Sequence, residues 1–413
     1  MAEGSRFDAL DSWRGICAVL VVLFHFIWLL PNALDHSQFI RNAYLFVDFF
    51  FVLSGFVLCH GYRGKIATPL DIVRFAMRRF ARVWPLHAVV LALVVMTLAV
   101  IARYPHPHEL TVTWDGDDYA LAAIPASVLM LNAVGLQAPV WNGPSWSIGA
   151  EFYVYILFAL VLVLAPRRLV TVAIGLSAAA LALIYWLAPD LMNSTWDYGT
   201  IRCVAGFFAG VIAYHVYERL RAMDVLKATV CEVAAVALVV AFVIAAGDGP
   251  NHGFGRSLLA PLVFGIAVVI FAGEGGLMSL LILRARPFRA LGRYSFSIYM
   301  IHQPLLTVLC YVVWLKGLPN TAFDAAAGTA SAGPMSSPDL LMIDFVLSVV
   351  LLSAASYRFI ETPARNGLNA LAPRVAGAVG AAIARGGGTL AGAPRRETLA
   401  PVSVPARRGR SRA

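Results

Sequence analysis

Hydrophobic positions along this chain come in long unbroken blocks, not in the alternation of a half-buried strand. Apolar windows fall at about 13–30, 43–59, 83–102, 119–135, 146–165, 169–188, 199–217, 228–246, 257–272, 293–316 and 340–357. Each comes close to the ~20 residues that a helix needs to cross a bilayer. Because a helix satisfies its own backbone hydrogen bonds in hydrocarbon, the pattern predicts an all-α polytopic membrane protein.

The polar stretches between the blocks set the orientation. If every window crossed, Arg167 and Arg168 would lie outside and the later loops would reverse. If 119–135 instead dips in and returns on the same side, ten helices cross and both termini are cytoplasmic. That arrangement places 27 of the 32 Lys and Arg inside and leaves Arg41, Arg103, Arg202, Arg256 and Lys316 at outer positions, as the positive-inside rule prefers. The 119–135 segment carries Pro125 and Asn132 and runs into "LQAPVWNGPSW", where Pro139, Gly143 and Pro144 break a helix. A re-entrant segment lining a cavity is expected there. Residues 1–370 then form the membrane domain. Residues 371–413, rich in Ala, Gly and Arg, read as a disordered basic cytoplasmic tail with a weak attraction to anionic lipid.

Composition agrees with the pattern and removes other classes. The 413 residues are 60% hydrophobic and 13% charged, and the mean hydropathy is +0.76, which excludes an ordinary soluble domain. The start, "MAEGSRFDALDSWRG", is polar and leads straight into a full-length span, so a retained first helix is expected instead of a cleaved signal. A net charge of +9 does not imply nucleic acid, because the basic residues alternate with spans and do not gather on one soluble surface. Cys17, Cys59, Cys203, Cys231 and Cys310 lie in or beside apolar runs without metal-ligand spacing and read as lipid- or core-facing fillers.

Ionisable residues inside the blocks are the candidates for chemistry, since each is costly in hydrocarbon and needs a polar cavity or a partner. Arg14 and His25 are eleven positions apart, so at 100° per residue they share one face of the first helix, about 16 Å apart along its axis. With Arg14 at the inner interface, His25 lies near the bilayer centre. Asp48, about one turn below the outer end of its span, is either a snorkelling interface carboxylate or the partner that orients the His25 imidazole. Gly55, after Ser54, allows close helix packing.

In "RFAMRRFARVWPLH", Arg74, Arg78 and Arg82 repeat at i, i+4 and i+8, and Arg79 precedes Arg82 by three. This basic face is either ordinary inside anchoring or, with Arg14 at the same depth, a clamp for a phosphate-rich ligand. Ser147, Glu151 and Tyr155 form a polar stripe on "WSIGAEFYVY", which demands a wet cavity. Ser295, Tyr299 and His302 repeat at i, i+4 and i+7, with His302 either packing or functional. Glu361 in "YRFIETPARN" is placed to pair with a nearby arginine, as a salt bridge or as part of a site.

These pieces in this order resemble acyltransferase family 3, the bacterial O-antigen acetylase type of membrane protein. The carriers are Arg14 with His25 after ten intervening residues, "FFFVLSGFVL", "RRFARVWP", "PSWSIGAEFYVY", "YSFSIYMIH" and "ETPAR", over about residues 8 to 370. Ser12 in "LDSWRG" departs from the glycine common in the family. The family's frequent C-terminal esterase-like domain has no counterpart, so a separate periplasmic acyl-transfer partner is expected for some substrates.

The resemblance implies an inner (plasma) membrane enzyme that moves an acyl group, usually acetyl, from cytoplasmic acyl-CoA to a hydroxyl of a cell-envelope glycan such as lipopolysaccharide. The donor is acetyl-CoA, and no metal is implied. On that reading Arg14, Arg78, Arg79 and Arg82 hold the donor's phosphates, and His25 is general base or acyl relay with Asp48 and Glu151 beside it. Trp146, Ser147, Tyr155, Tyr299, His302 and Glu361 contact substrate or support the site. The rival is a proton-coupled secondary transporter that uses the same His, Asp and Glu as a relay; it would be expected to show inverted repeats, and none is evident. A non-catalytic scaffold leaves the co-facial Arg14 and His25 without a purpose.

Overall fold

The computed structural model describes residues 7–30, 32–113, 119–134, 141–247, 255–316 and 338–386. In chain order its helices are α1 (Asp8–Phe26), α2 (Gln38–Arg41), α3 (Phe46–Tyr62), α4 (Pro69–Ile101), α5 (Ile124–Val128), α6 (Ser145–Leu164), α7 (Leu169–Leu187), α8 (Gly199–Arg219), α9 (Val225–Ala245), α10 (Ala260–Ala272), α11 (Arg286–Leu315), α12 (Pro338–Ser356) and α13 (Thr362–Gly386). Among the described residues, nine helices are long and apolar enough to cross a membrane, and the stretch Arg256–Ala272 that contains α10 is apolar but shorter. A two-residue parallel pair, Val112–Thr113 with Tyr119–Ala120, is the described strand structure.

Two helices are longer than their apolar windows, and local chemistry explains both. The α4 helix starts at Pro69 because Thr68 and Asp71 form a reciprocal capping box, each side chain accepting from the other residue's backbone N–H. Its 33 residues reach about 50 Å, well beyond the thickness of the hydrocarbon, and the arginines occupy its first half. The α11 helix runs through Pro304, whose missing N–H releases the carbonyl of Met300. The Asn142 side chain donates to that carbonyl at 3.2 Å, which ties the entry of α6 to the middle of α11.

The helix that carries Arg14 and His25 is set by α11. Gly15 and Gly292 face each other so closely that a Cβ on Gly15 would lie 2.5 Å from the Gly292 nitrogen. Only a missing side chain on each helix permits this approach. The first turn of α1 has no side-chain cap of its own; Glu274 supplies one, accepting from the Ala9 N–H at 2.7 Å, and burial pushes its carboxyl up from the ordinary value. The α3 and α8 helices meet in the same manner, Gly55 against Phe207 and Gly210 against Val52.

The expected re-entrant segment is short and broken. It holds a 3₁₀ turn at Leu121–Ala123, α5, and a reversal at Met130 with φ of 58°. Side chains satisfy its carbonyls: His87 at Ser127 (2.7 Å), Trp84 at Val128 (3.0 Å) and Tyr153 at Leu129 (3.0 Å). It packs on α4 and α6 and does not line the central cavity, which corrects that part of the expectation. Residues 135–140, with Pro139, lie outside the described residues. The tail is also corrected in part: α13 carries the chain in helix to Gly386, since its alanines and leucines favour helix even without burial. Residues 387–413 lie outside the described residues.

Candidate active site

Five helices, α1, α3, α4, α6 and α11, enclose a cavity of about 150 Å³. Arg14, Arg79 and Arg82 line it together with Ser54, Ser147, Glu151, Tyr155, Ser295 and Tyr299. Arg14 comes from the early turns of α1, where its Nε donates to Ser295 Oγ (2.9 Å) and its Nη2 to Gly292 O (3.0 Å), with Asp11 at 3.1 Å. The glycine contact between α1 and α11 therefore aims this guanidinium.

Arg82 is ion-paired with Glu361, which also accepts from Ser297 Oγ (3.0 Å) and lies 3.7 Å from Arg365. Glu361 ends the π-helical turn Tyr357–Glu361, an irregularity that rotates the carboxylate onto α4 and α11. Arg79 is less engaged. It lies over the Tyr62 and Phe75 rings, its Nη2 is 3.4 Å from Tyr62 Oη, and its buried Nε has no partner among the described residues.

The α6 stripe enters the same space. Ser147 Oγ donates to Pro144 O (3.0 Å) and pairs with Tyr299 Oη at 2.8 Å, while the Ser54 and Tyr155 hydroxyls flank the buried Glu151 carboxyl. Above Tyr299, the Nε2 of fully buried His302 lies 3.3 Å from His25 Nδ1, which is itself 2.8 Å from Val21 O. His25 does not line the cavity; it stands behind Tyr299, whose ring centroid is 6.0 Å from that of His302.

Several sequence-based assignments change. Asp48 does not orient His25: Arg202 takes both its oxygens, Nε to Oδ1 at 3.0 Å and Nη2 to Oδ2 at 2.7 Å, with both side chains buried. A carboxylate below the interface needs a counter-charge more than an imidazole can supply one. Arg202 also donates to the carbonyls of Ser194 (2.9 Å) and Tyr44 (3.0 Å). Trp146 belongs to this ion pair, its ring 5.6 Å from the guanidinium, and does not face the cavity. Arg78 is exposed on α4 and lies off the cavity, because successive residues of a helix point 100° apart and Arg79 and Arg82 take the inner face. Sequence alone marks Arg202 only as an outer charge. The signal for its role was present, in that two opposite charges sit one turn inside the outer ends of their spans.

The fold and the site together define a multi-pass membrane protein with an arginine-lined cavity. The chain belongs to the acyltransferase 3 family, whose family model, an acyltransferase domain, matches residues 7–356. It is similar to the peptidoglycan O-acetyltransferase OatA of Listeria monocytogenes, 23% identical over 382 residues that cover 86% of this chain and 55% of that protein. It is likewise similar to O-acetyltransferase OatA of Staphylococcus aureus (strain NCTC 8325 / PS 47), 24% identical over 388 residues, 86% of this chain and 57% of that one. Protein 2 in picA locus of Rhizobium radiobacter is 33% identical over 155 residues, 33% of this chain and 75% of that protein. The chain thus spans little more than half the length of the OatA relatives. No solved structure matches it.

Proposed function

We propose that this protein transfers an acyl group, acetyl foremost, from cytoplasmic acyl-CoA to a hydroxyl of a cell-envelope carbohydrate. The observation that carries the reading is one cavity that joins three guanidiniums to Glu151, Ser147 and Tyr299, with the His25–His302 pair just beyond. Membership of the family and the names of the OatA relatives support O-acetyl transfer. Arg14, Arg79 and Arg82 hold the phosphates of the donor, since planar guanidiniums match phosphate oxygens in bidentate fashion. For His25 to act, the acceptor must enter beside Tyr299, past the cavity wall; its hydroxyl then gives its proton to His25 Nε2 as its oxygen attacks the thioester carbonyl, the carbon–sulfur bond breaks and the coenzyme A sulfur takes the proton. An acyl-histidine relay is the second version of the same chemistry.

The topology proposed with this reading has ten crossings, α10 included, the 121–134 segment held at the outer side, and both termini in the cytoplasm of a bacterial inner membrane. A separate periplasmic partner completes transfer to acceptors that do not reach the cavity. The transporter reading is weakened at one relay carboxylate, because Asp48 is held in a buried ion pair with Arg202.

The test is turnover of radiolabelled acetyl-CoA by purified protein with a soluble glycan acceptor. His25→Ala should keep donor binding and lose about 10²–10⁴-fold in turnover, the range for a missing general base. Near wild-type transfer by that variant would overturn the role of His25 and leave Glu151 as the base to examine.

A further inference from the structure

The tautomer of His25 can be worked out from its neighbours. His25 Nδ1 is 2.8 Å from Val21 O, and His302 Nδ1 is 3.2 Å from Ile298 O. Carbonyl oxygens only accept, so both rings carry their proton on Nδ1. The Nε2 of His302 is then a bare lone pair, and it sits 3.3 Å from the His25 Nδ1–H. His25 Nε2 is left as the basic nitrogen.

We propose that His302 is a positioning residue for His25, an inference that rests on the acyl-transfer reading above. Its Nε2 accepts a second branch of the His25 Nδ1–H bond. That holds the ring in the tautomer with a free Nε2 lone pair and shares the positive charge when this nitrogen takes the acceptor's proton. No covalent bond to His302 forms, and its own protons stay in place.

Three observations favour this role over simple packing. His302 is fully buried and one of its nitrogens is already satisfied by the backbone, so the second has no structural need to face another imidazole. The alignment is built by the α1–α11 contact: each histidine lies ten residues beyond its facing glycine, Gly15 or Gly292, so two parallel helices that touch there bring the rings level about 15 Å further on. Asp48, the nearest sequence-predicted carboxylate partner, is ion-paired with Arg202 instead. A neutral imidazole also suits the place, because it orients a base in hydrocarbon without burying a second charge. The rings in contact with the pair are Tyr299 on α11, beside His302, and Phe24 on α1, beside His25.

The experiment compares His302→Leu, His302→Gln and His25→Ala for acetyl transfer, acetyl-CoA affinity and thermal stability, with a ¹⁵N-histidine spectrum of the full-length protein. In wild type the His25 signals, assigned by their loss in His25→Ala, should show a protonated Nδ1 and a bare Nε2. His302→Leu should lower kcat about 10- to 100-fold, less than loss of the base itself, while donor affinity stays within about twofold. Its spectrum should show a shifted His25 Nδ1 signal, because Val21 O is then left as the acceptor of that N–H. His302→Gln, whose amide oxygen can accept from His25, should recover most of the rate. An inactive His25→Ala beside a fully active His302→Leu overturns this inference alone, whereas a fully active His25→Ala overturns the functional reading beneath it. Equal losses in Leu and Gln with an unchanged His25 spectrum reduce His302 to packing. Should His302→Leu fail to fold, a wild-type spectrum with the proton on His25 Nε2 still refutes the proposal.

Discussion

The three cavity arginines are not equivalent, because they differ in how much of their donor capacity the protein has already used. Arg82 is neutralised by the buried Glu361, and Arg14 is spread over Asp11, Ser295 and Gly292. Arg79 keeps a buried Nε without a partner among the described residues, a cost that a protein tolerates where a ligand will repay it. Arg79→Ala should therefore weaken acetyl-CoA binding by about 10- to 150-fold, the worth of one charge-assisted contact, and leave folding intact. Arg78→Ala, on the exposed face, should stay within about threefold in the same binding titration. Arg82→Ala should lose affinity and thermal stability together, since it strands the carboxylate of Glu361. Matching affinities for the Arg78 and Arg79 variants would remove Arg79 from the clamp.

At the scale of elements, irregular backbone survives beside hydrocarbon only where side chains satisfy it. The 121–134 segment illustrates the rule, with ring N–H groups of Trp84 and His87 and the Tyr153 hydroxyl donating to consecutive carbonyls at the end of α5. The double variant Trp84→Phe with His87→Leu removes two of these donors while keeping bulk. It should cost about 1–3 kcal/mol per stranded carbonyl, read as a lower unfolding temperature in detergent, with the acetyl-CoA affinity nearly unchanged because the segment does not line the cavity. A large loss of affinity at unchanged stability would show that the segment reaches the site after all. Helix lengths follow the same logic: α4 begins fourteen residues before its apolar window because a capping box and Pro69 start it, a signal that was available in "TPLD".

For the whole molecule, the orientation proposed above rests on the charge partition and the helix order. Cysteine at Ala67, in the exposed stretch before α4, should react with an impermeant maleimide only from the cytoplasmic side. Cysteine at exposed Thr113, beyond the far end of α4, should react only from the outside. Of the native cysteines, Cys17, Cys59, Cys203 and Cys310 are buried, and the half-buried Cys231 is replaced by serine in both variants. Equal labelling of both positions from one side would refute the orientation.

Properties that depend on runs of neighbouring residues were readable before any fold. The helical class, nearly every span and the co-facial placement of Arg14 with His25 follow from apolar block length and 3.6-residue periodicity, which are local quantities. So does the polar stripe of Ser147, Glu151 and Tyr155, because a helix in lipid must turn such a stripe towards protein or water. Pairings between helices were not readable, because a one-dimensional pattern carries depth and face but not the neighbour. Asp48 had two chemically reasonable partners at its depth, and only the Gly55 and Gly210 contacts of α3 with α8 chose Arg202. Sequence leaves His302 either packing or functional, and only the Gly15–Gly292 contact of α1 with α11 brings it level with His25. The tertiary structure decided which buried charges cancel and which remain for chemistry, because that choice depends on ångström-scale distances between helices far apart in the chain.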